Sequence, residues 1–239
     1  MKIKMCFKLE NNILPIEYRQ PIISFFKHSV EKYDKDIYEK LFNKENNACK
    51  FYTFYVRLDN PKFDTNTISL NSNNFSVFLS SYSQEELTYF YDSLILAKDK
   101  SFPLNKNKMT MLDIKYIEDE NVQKEEIVVR FLSPFLVRTY LKGDSKNEYL
   151  TYEDNEFEDT LKTNIENSLN NLKLDISLDG FEIKKIKPKK TVIKLFNTGM
   201  LANLGIYSLK GNLELLNFLK LSGIGLKRGS GFGYFDIIG

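Results

Sequence analysis

Residues that build common metal sites are scarce in this sequence. Its 239 residues include one histidine, His28, two cysteines, Cys6 and Cys49, and no tryptophan. A structural zinc site uses four cysteine or histidine ligands, so we do not expect one here. Two cysteines and no export signal predict reduced thiols and a cytoplasmic protein.

Long apolar stretches are also absent. No segment approaches the roughly 20 apolar residues of a membrane-spanning helix, so no membrane partner is expected. The start, MKIKMCFKLE, alternates apolar residues with charged ones. A signal peptide needs an uninterrupted apolar region, and this period of two predicts a half-buried strand instead.

Charge is distributed unevenly along the chain. Between Lys184 and Arg228 lie ten basic residues and one acidic residue, Glu214, a net charge of +9. Because the whole chain carries +2, the remainder carries −7. A basic region on an acidic body favours binding of a polyanion such as a nucleic acid. A solvated, lysine-rich hairpin would give the same count.

The order of the predicted elements repeats once along the chain. In the first half, strands are predicted at 3–9, 49–58, 67–70, 74–80 and 109–119, and helices at 17–33, 36–42 and 85–97. In the second half, 125–140 is predicted as a strand followed by a turn at Ser133 and Pro134. Further strands are predicted at 204–211 and 231–238, with helices at 153–174 and 213–223. The segment 181–197 is predicted as two strands on either side of Pro188.

Two successive β-α-β-β-α-β units predict an α+β protein made of two tandem ferredoxin-like domains. We place the N-terminal domain at 1–121 and the C-terminal domain at 122–239. The segment 118–124 between them is charged and lacks large apolar residues, as a boundary does.

The chain ends with GIGLKRGSGFGYFDIIG, in which five glycines fall within eleven residues around Lys227 and Arg228. A dinucleotide-binding fingerprint follows a strand and opens a helix, whereas this segment follows a helix and precedes a strand. Two compatible interpretations stay open. In the first, exposed backbone N–H groups and the two cations contact a phosphate. In the second, the glycines let the last helix and the last strand pack closely.

This end resembles the glycine-rich signature of the CRISPR-associated repeat-processing endoribonucleases, in the repeat-associated mysterious protein superfamily. Three other segments resemble that family in the same order. They are ILPIEYRQPIISFFKHSVEK at 13–32, similar to its first helix, KFYTFYVRL at 50–58, similar to its second strand, and LSPFLVR at 132–138, similar to the opening of its second domain.

The resemblance implies an enzyme that binds the repeat RNA of a CRISPR transcript and cuts it without a metal or cofactor. In such enzymes the ribose 2′-OH attacks the adjacent phosphate and leaves a 2′,3′-cyclic phosphate and a 5′-OH. The alternative is a non-catalytic RNA-binding subunit of a CRISPR effector complex, which shares the fold and the glycine-rich end. A ferredoxin-like protein-interaction module is a third interpretation. Effector-complex subunits and a second copy of the chain are further partners left open.

His28 is the first catalytic candidate, because histidine readily exchanges protons near neutral pH. Successive residues of a helix are about 100° apart, which places His28 opposite the apolar arc of helix 17–33, an arc that includes Tyr33. A core histidine is therefore not expected, and a solvent-exposed histidine is the alternative to a catalytic one. Lys32, one turn on, shares this face and would stabilise a charged phosphate. The resemblance adds Lys50, the first residue of the segment KFYTFYVRL, because relatives often use a lysine just before this strand in catalysis.

The RNA-binding candidates lie in the second half of the chain. Lysines of a β-hairpin contact phosphates and give affinity without sequence choice. The candidates are Lys184, Lys185, Lys187, Lys189, Lys190, Lys194, Arg138, Gly223, Gly225, Lys227, Arg228, Gly229 and Gly231.

Overall fold

The computed structural model describes residues 1–42, 50–139, 148–195 and 198–239. Its α-helices are α1 (Arg19–Tyr33), α2 (Lys35–Phe42), α3 (Gln84–Ile95), α4 (Phe157–Leu172) and α5 (Leu213–Ser222). Its strands are β1 (Lys2–Leu9), β2 (Ile13–Pro15), β3 (Tyr52–Leu58), β4 (Lys62–Phe63), β5 (Thr67–Ser69), β6 (Asn74–Ser81), β7 (Ser101–Leu104), β8 (Asn107–Ile117), β9 (Glu126–Phe131), β10 (Val137–Arg138), β11 (Tyr149–Leu150), β12 (Glu182–Leu195), β13 (Thr198–Lys210) and β14 (Phe235–Ile237). None of the helices in these ranges is long and apolar enough to cross a membrane.

The first large sheet has the strand order β3-β6-β1-β8-β7. Strand β1 pairs antiparallel with β6 and β8, so it is central. Its alternating residues Ile3, Met5, Phe7 and Leu9 are each at most 1% exposed, which confirms the strand predicted from the period of two. The sheet is therefore anchored by an apolar face that the first ten residues already encode.

Helix α1 covers this apolar face with residues at helical spacing. Ile22, Phe25, Phe26 and Val30 are buried, and the ring of Phe25 meets that of Phe7 edge-on at 5.4 Å. Each buried side chain of this size stabilises the fold by about 1.5–3 kcal/mol. Tyr33 was expected on the same arc, but it is 40% exposed because it occupies the last position of the helix.

The second large sheet has the order β12-β13-β9-β14. In both sheets the first and third strands of a β-α-β-β-α-β unit lie side by side at the centre, β1 with β6 and β9 with β13. Helices α4 and α5 follow the first and third strands of the second unit, and the side chain of Asn212 caps α5 by accepting a hydrogen bond from the Leu215 N–H. The predicted α+β fold of two tandem ferredoxin-like domains is confirmed.

The segment 181–197 is not the pair of short strands that Pro188 suggested. Residues Glu182–Leu195 form one strand, β12, which pairs along β13. Proline lacks an N–H donor and is tolerated on an edge strand, and β12 is the edge of its sheet. The prediction of two strands here was wrong, and the basic hairpin is longer, formed by β12 and β13.

Contacts between Cα atoms divide the chain into two compact units. The first comprises Met1–Asn47, Tyr55–Asp119 and Lys194–Asn197, and the second comprises Ala48–Phe54, Glu120–Ile193 and Thr198–Gly239. Residues 52–54 of β3 group with the second unit, and residues 55–58 group with the first. The predicted domain boundary after residue 121 stays a prediction.

Candidate nucleic-acid interface

The glycine-rich end of the chain is tied to the start of the second unit by backbone hydrogen bonds. The Leu226 N–H donates to the carbonyl of Leu136 at 2.9 Å, and the Gly233 N–H donates to the carbonyl of Pro134 at 2.8 Å. The Ile224 N–H donates to the Gly233 carbonyl at 3.1 Å, so the loop closes on itself. The segment LSPFLVR and the glycine-rich end therefore form one local structure.

Two glycines of the loop are required by close backbone contact. A Cβ atom at Gly225 would overlap the carbonyl oxygen of Leu136, and one at Gly233 would overlap the carbonyl oxygen of Ile224. Both residues also have a positive φ, 78° and 75°. L-amino acids with side chains rarely adopt this backbone, so glycine is needed for space and for conformation. This confirms the interpretation of tight packing.

The same loop lies against Lys50 and the first residues of β3, which belong to the second unit. The Thr53 hydroxyl donates to the Phe232 carbonyl at 2.8 Å. A Cβ atom at Gly231 would lie 2.8 Å from the ring of Phe54, and one at Gly229 would lie 2.8 Å from Cγ of Lys50. The aliphatic part of Lys50 therefore crosses bare backbone at Gly229. A Cβ atom at Gly223, which follows α5, would lie 3.0 Å from the side chain of Thr53.

Arg228 lies inside this loop. It is only 4% exposed, and its Nη1 donates to the Ser222 hydroxyl at 3.0 Å. Its guanidinium also lies 5.2 Å from the ring centroid of Phe218. These contacts fix the loop on α5, and the described conformation does not present Arg228 to solvent. Its assignment to RNA binding stays a prediction.

Lys227 is exposed, in contrast with its neighbour. It has a left-handed backbone, φ 56°, and begins the 3-10 helix Arg228–Ser230. Partial burial of its ammonium lowers the pKa of Lys227, and the positive charge of Arg138 lowers it further. The hydrogen bond from the Leu226 N–H to the Leu136 carbonyl keeps these two basic residues in the same part of the second unit, where an anion such as phosphate would be stabilised.

Arg138 is held in place by its surroundings. Its backbone N–H donates to Asn164 Oδ1 at 3.1 Å, and Asn164 Nδ2 donates to its carbonyl at 3.0 Å. Its guanidinium lies 5.9 Å from the ring centroid of Tyr149. Asn164 is 1% exposed in the middle of α4, so this clamp is part of the core. The sequence suggested Arg138 as a contact but gave no sign of the clamp.

The six lysines predicted on 181–197 are all exposed on β12. Lys184 pairs with Glu182 at 3.3 Å, and Lys190 pairs with Glu153 at 2.6 Å, which raises the pKa of Lys190 and lowers that of Glu153. Exposed pairs of this kind are weak and screened by salt. Among the described residues, no such pair holds the other β12 lysines, Lys185, Lys187, Lys189 and Lys194.

His28 is exposed, as the helical wheel predicted, and it lies in a cavity of the first unit. Its ring lies 5.6 Å from the ring of Phe102 on β7. Lys32 lines the same cavity, so the two residues do share a face. In this sheet β7 and β3 form opposite edges. Lys50 groups with the second unit, and its place with His28 in one catalytic site stays a prediction.

Sequence reasoning missed two residues of the His28 cavity, Ser29 and Lys100. Ser29 could have been found, because it lies four residues after Phe25 and is a polar residue on the apolar arc of α1. Lys100 could not, because it comes from the segment before β7, and no local pattern joins that segment to α1.

The family to which the chain belongs follows from its second half. The sequence profile described as CRISPR associated protein Cas6, C-terminal, matches residues 114–237. This range is more than half of the chain. The chain belongs to the Cas6 family. The resemblance read from the glycine-rich end is therefore confirmed.

Solved Cas6 structures share the fold over the full length. A protein described as a RAMP protein binding different RNA substrates is 24% identical, covers 100% of both chains and has a TM-score of 0.86. The product of a Cas6-related gene from Pyrococcus furiosus is 22% identical, with 100% of this chain and 98% of that chain covered and a TM-score of 0.87. A Cas6 product complex is 14% identical, with both chains fully covered and a TM-score of 0.72. A comparison with curated protein sequences found no match.

The backbone contacts at the glycine loop predict a difference between two glycine substitutions. Gly233→Ala places a methyl group against a backbone carbonyl and should lower the free energy of unfolding by at least about 3 kcal/mol. Gly180→Ala is the control, because Gly180 has a similar φ of 71° but nothing within 4 Å of its Cβ position. Only backbone strain, about 1–2 kcal/mol, is expected there. Denaturant titration measures both, and equal losses would contradict the packing account.

Proposed function

We propose that this Cas6 family member binds the repeat RNA of a CRISPR transcript and cuts it within the repeat to release guide RNAs. The observation that carries the proposal is the exposed Lys227, held by a glycine-built loop beside Arg138. Two cations kept close together on rigid backbone favour a phosphate group. The proposed domain roles are catalysis in 1–121 and RNA binding in 122–239.

The proposed reaction is an internal transesterification. The ribose 2′-oxygen loses its proton and bonds to the adjacent phosphorus, while the bond from phosphorus to the 5′-oxygen breaks. The 5′-oxygen takes up a proton, so the products are a 2′,3′-cyclic phosphate and a 5′-OH. Atoms and charge balance without water, a metal ion or a cofactor. The protein has to align the 2′-oxygen, exchange protons and stabilise the extra negative charge.

We assign the proton transfers to His28 and the stabilisation of charge to Lys32 and Lys50. Support for His28 is its exposure in an open cavity that it shares with Lys32. Support for Lys50 is its position across the backbone of Gly229, beside the loop that carries Lys227. The assignment of Lys50 otherwise rests on the family resemblance.

RNA binding is assigned to the predicted C-terminal domain, residues 122–239. The exposed lysines of β12, of which only some share a face because side chains alternate along a strand, offer charges to the phosphates of an RNA strand or stem. These charges supply affinity and salt dependence without sequence choice. The proposed contacts are Lys184, Lys185, Lys187, Lys189, Lys190 and Lys194 on β12, with Arg138, Lys227 and the backbone of Gly223, Gly225, Gly229 and Gly231. Arg228 is better suited to holding the loop, since it is buried.

A second candidate function is a non-catalytic RNA-binding subunit of a CRISPR effector complex. The position of His28 favours it, because the ring lies against Phe102 on β7, at the edge of the sheet opposite β3. A protein with this function would bind repeat RNA through the same cationic residues and would never cut it. Repeat RNA incubated with the unaltered protein distinguishes the two functions directly.

Cleavage should depend on His28 and on one ribose hydroxyl. His28→Ala should reduce the cleavage rate at least about 100-fold, since general acid–base catalysis contributes about that much, and leave repeat affinity within roughly threefold. Glu31→Ala, an exposed change on the same helix, is the control.

Deoxyribose at the cut site should stop cleavage and EDTA should not. Denaturing gels with end-group analysis measure these outcomes.

Normal cleavage by His28→Ala would refute the role of His28 and leave the function standing. Cleavage of the deoxyribose substrate, or a requirement for magnesium, would refute the transesterification mechanism. Binding of the repeat without any cleavage by the unaltered protein would favour the second candidate function.

Lys227 should contribute one phosphate contact to binding. Lys227→Met should weaken repeat affinity and reduce the slope of log K against log salt by about 0.7–0.9, while Lys98→Met, an exposed change in the first unit, should not. Because folding lowers the pKa of Lys227, its charge costs stability at neutral pH, and that cost starts to fall once pH exceeds the folded-state pKa and is gone above the ordinary lysine pKa of 10.5. Lys227→Met should therefore not lower the free energy of unfolding. An unchanged salt slope would contradict the phosphate contact.

A further inference from the structure

The cavity beside His28 has features of a ligand site that the cleavage reaction alone does not require. It lies between α1, the end of α3 and the start of β7, all within the first unit. Its volume is about 270 Å³, close to the lower end of the usual range for small-molecule sites, about 300–1,000 Å³. Its size suits one small ligand.

The charges that line the cavity have one sign. Lys32 from α1 and Lys100 from the segment before β7 both line it and are exposed, and no aspartate or glutamate belongs to its lining. Among the described residues, neither lysine forms an ion pair with a carboxylate. Two uncompensated cations around one cavity favour an anionic ligand.

A buried hydroxyl in the cavity wall adds an independent observation. Ser29 is 4% exposed, and within the described ranges its Oγ has no hydrogen-bond partner. A buried polar group left without a partner costs about 1–3 kcal/mol. Ser93 lines the same cavity, but its hydroxyl donates to the Phe90 carbonyl at 3.0 Å. The Ser29 hydroxyl is therefore the one of these two that a ligand would satisfy.

Aromatic rings form another part of the wall. The ring of Phe102 lies 5.6 Å from that of His28 and meets the ring of Phe25 edge-on at 5.3 Å. Planar rings beside cations are the combination that proteins use to hold a base and its phosphate. An inorganic anion would use the lysines but not these rings.

We propose that this cavity binds one nucleoside phosphate. Lys32 and Lys100 bind its phosphate, Phe102 and His28 contact its base or ribose, and the Ser29 hydroxyl forms a hydrogen bond with it. The ligand is either a nucleotide within an RNA chain, which rests on the proposed function, or a free nucleotide. Lys100 and Ser29 are binding residues in this proposal, and neither takes part in proton transfer.

The single histidine makes the cavity directly observable. Protein with a labelled histidine ring gives one set of ring signals in NMR spectra, because His28 is the only histidine in the chain. We would add adenosine 5′-phosphate, inorganic phosphate, or repeat RNA with deoxyribose at the cut site, which cannot be cleaved. Saturable shifts with the nucleotide, or with the RNA alone, are expected at concentrations where phosphate has little effect.

Substitutions connect these shifts to the proposed contacts. Lys32→Met and Lys100→Met should each weaken the ligand that shifts His28 by roughly tenfold, as the loss of one charge-assisted contact does. Lys98→Met, two residues from Lys100 but outside the cavity lining, is the matched control. Ser29→Ala should weaken binding and also raise the midpoint of denaturant unfolding, because it removes an unsatisfied hydroxyl.

The outcomes separate this proposal from the proposed function. Shifts with the free nucleotide identify a nucleotide site, and shifts with RNA alone identify a nucleotide of the bound chain. No shift with either ligand, or equal binding by Lys100→Met and Lys98→Met, would overturn the inference while leaving repeat cleavage untouched. Shifts without any cleavage of the unmodified repeat would instead reject the cleavage function and leave the cavity assignment in place.

Discussion

The second unit depends on backbone packed directly on backbone at its glycine-rich end. Gly225 and Gly233 let the loop approach the carbonyls of Leu136 and Ile224 at a distance that no side chain would permit. Two main-chain hydrogen bonds, to Pro134 and Leu136, then fix the loop on the segment after β9. The Thr53 hydroxyl also binds the loop, at the Phe232 carbonyl, and Lys50 lies against the same loop at Gly229.

The two neighbouring basic residues of the loop have different surroundings. Arg228 is buried, where its hydrogen bond to Ser222 and its position over Phe218 make it part of the loop's support. Lys227 is exposed, and partial burial of its ammonium together with the charge of Arg138 lowers its pKa. Of these two neighbours, Arg228 therefore supports the loop, and Lys227 is accessible to a ligand.

Much of the fold could be predicted from the sequence, because the period of two in strands and the helical spacing of apolar residues are local signals. The alternation in β1 and the buried arc of α1 are examples. What failed was non-local. Pro188 suggested a break, but an edge strand tolerates it. The burial of Arg228 and the presence of Lys100 and Ser29 in one cavity depend on contacts between distant segments.

The central claim is that the glycine-built loop presents Lys227 and its neighbouring backbone to RNA phosphates. Hydrogen exchange of the protein with and without repeat RNA tests it most directly, because it reports on each backbone amide. The account predicts that RNA slows exchange at the amides of residues 227–229 and along β12. Strong RNA binding that leaves exchange at 227–229 unchanged would contradict it.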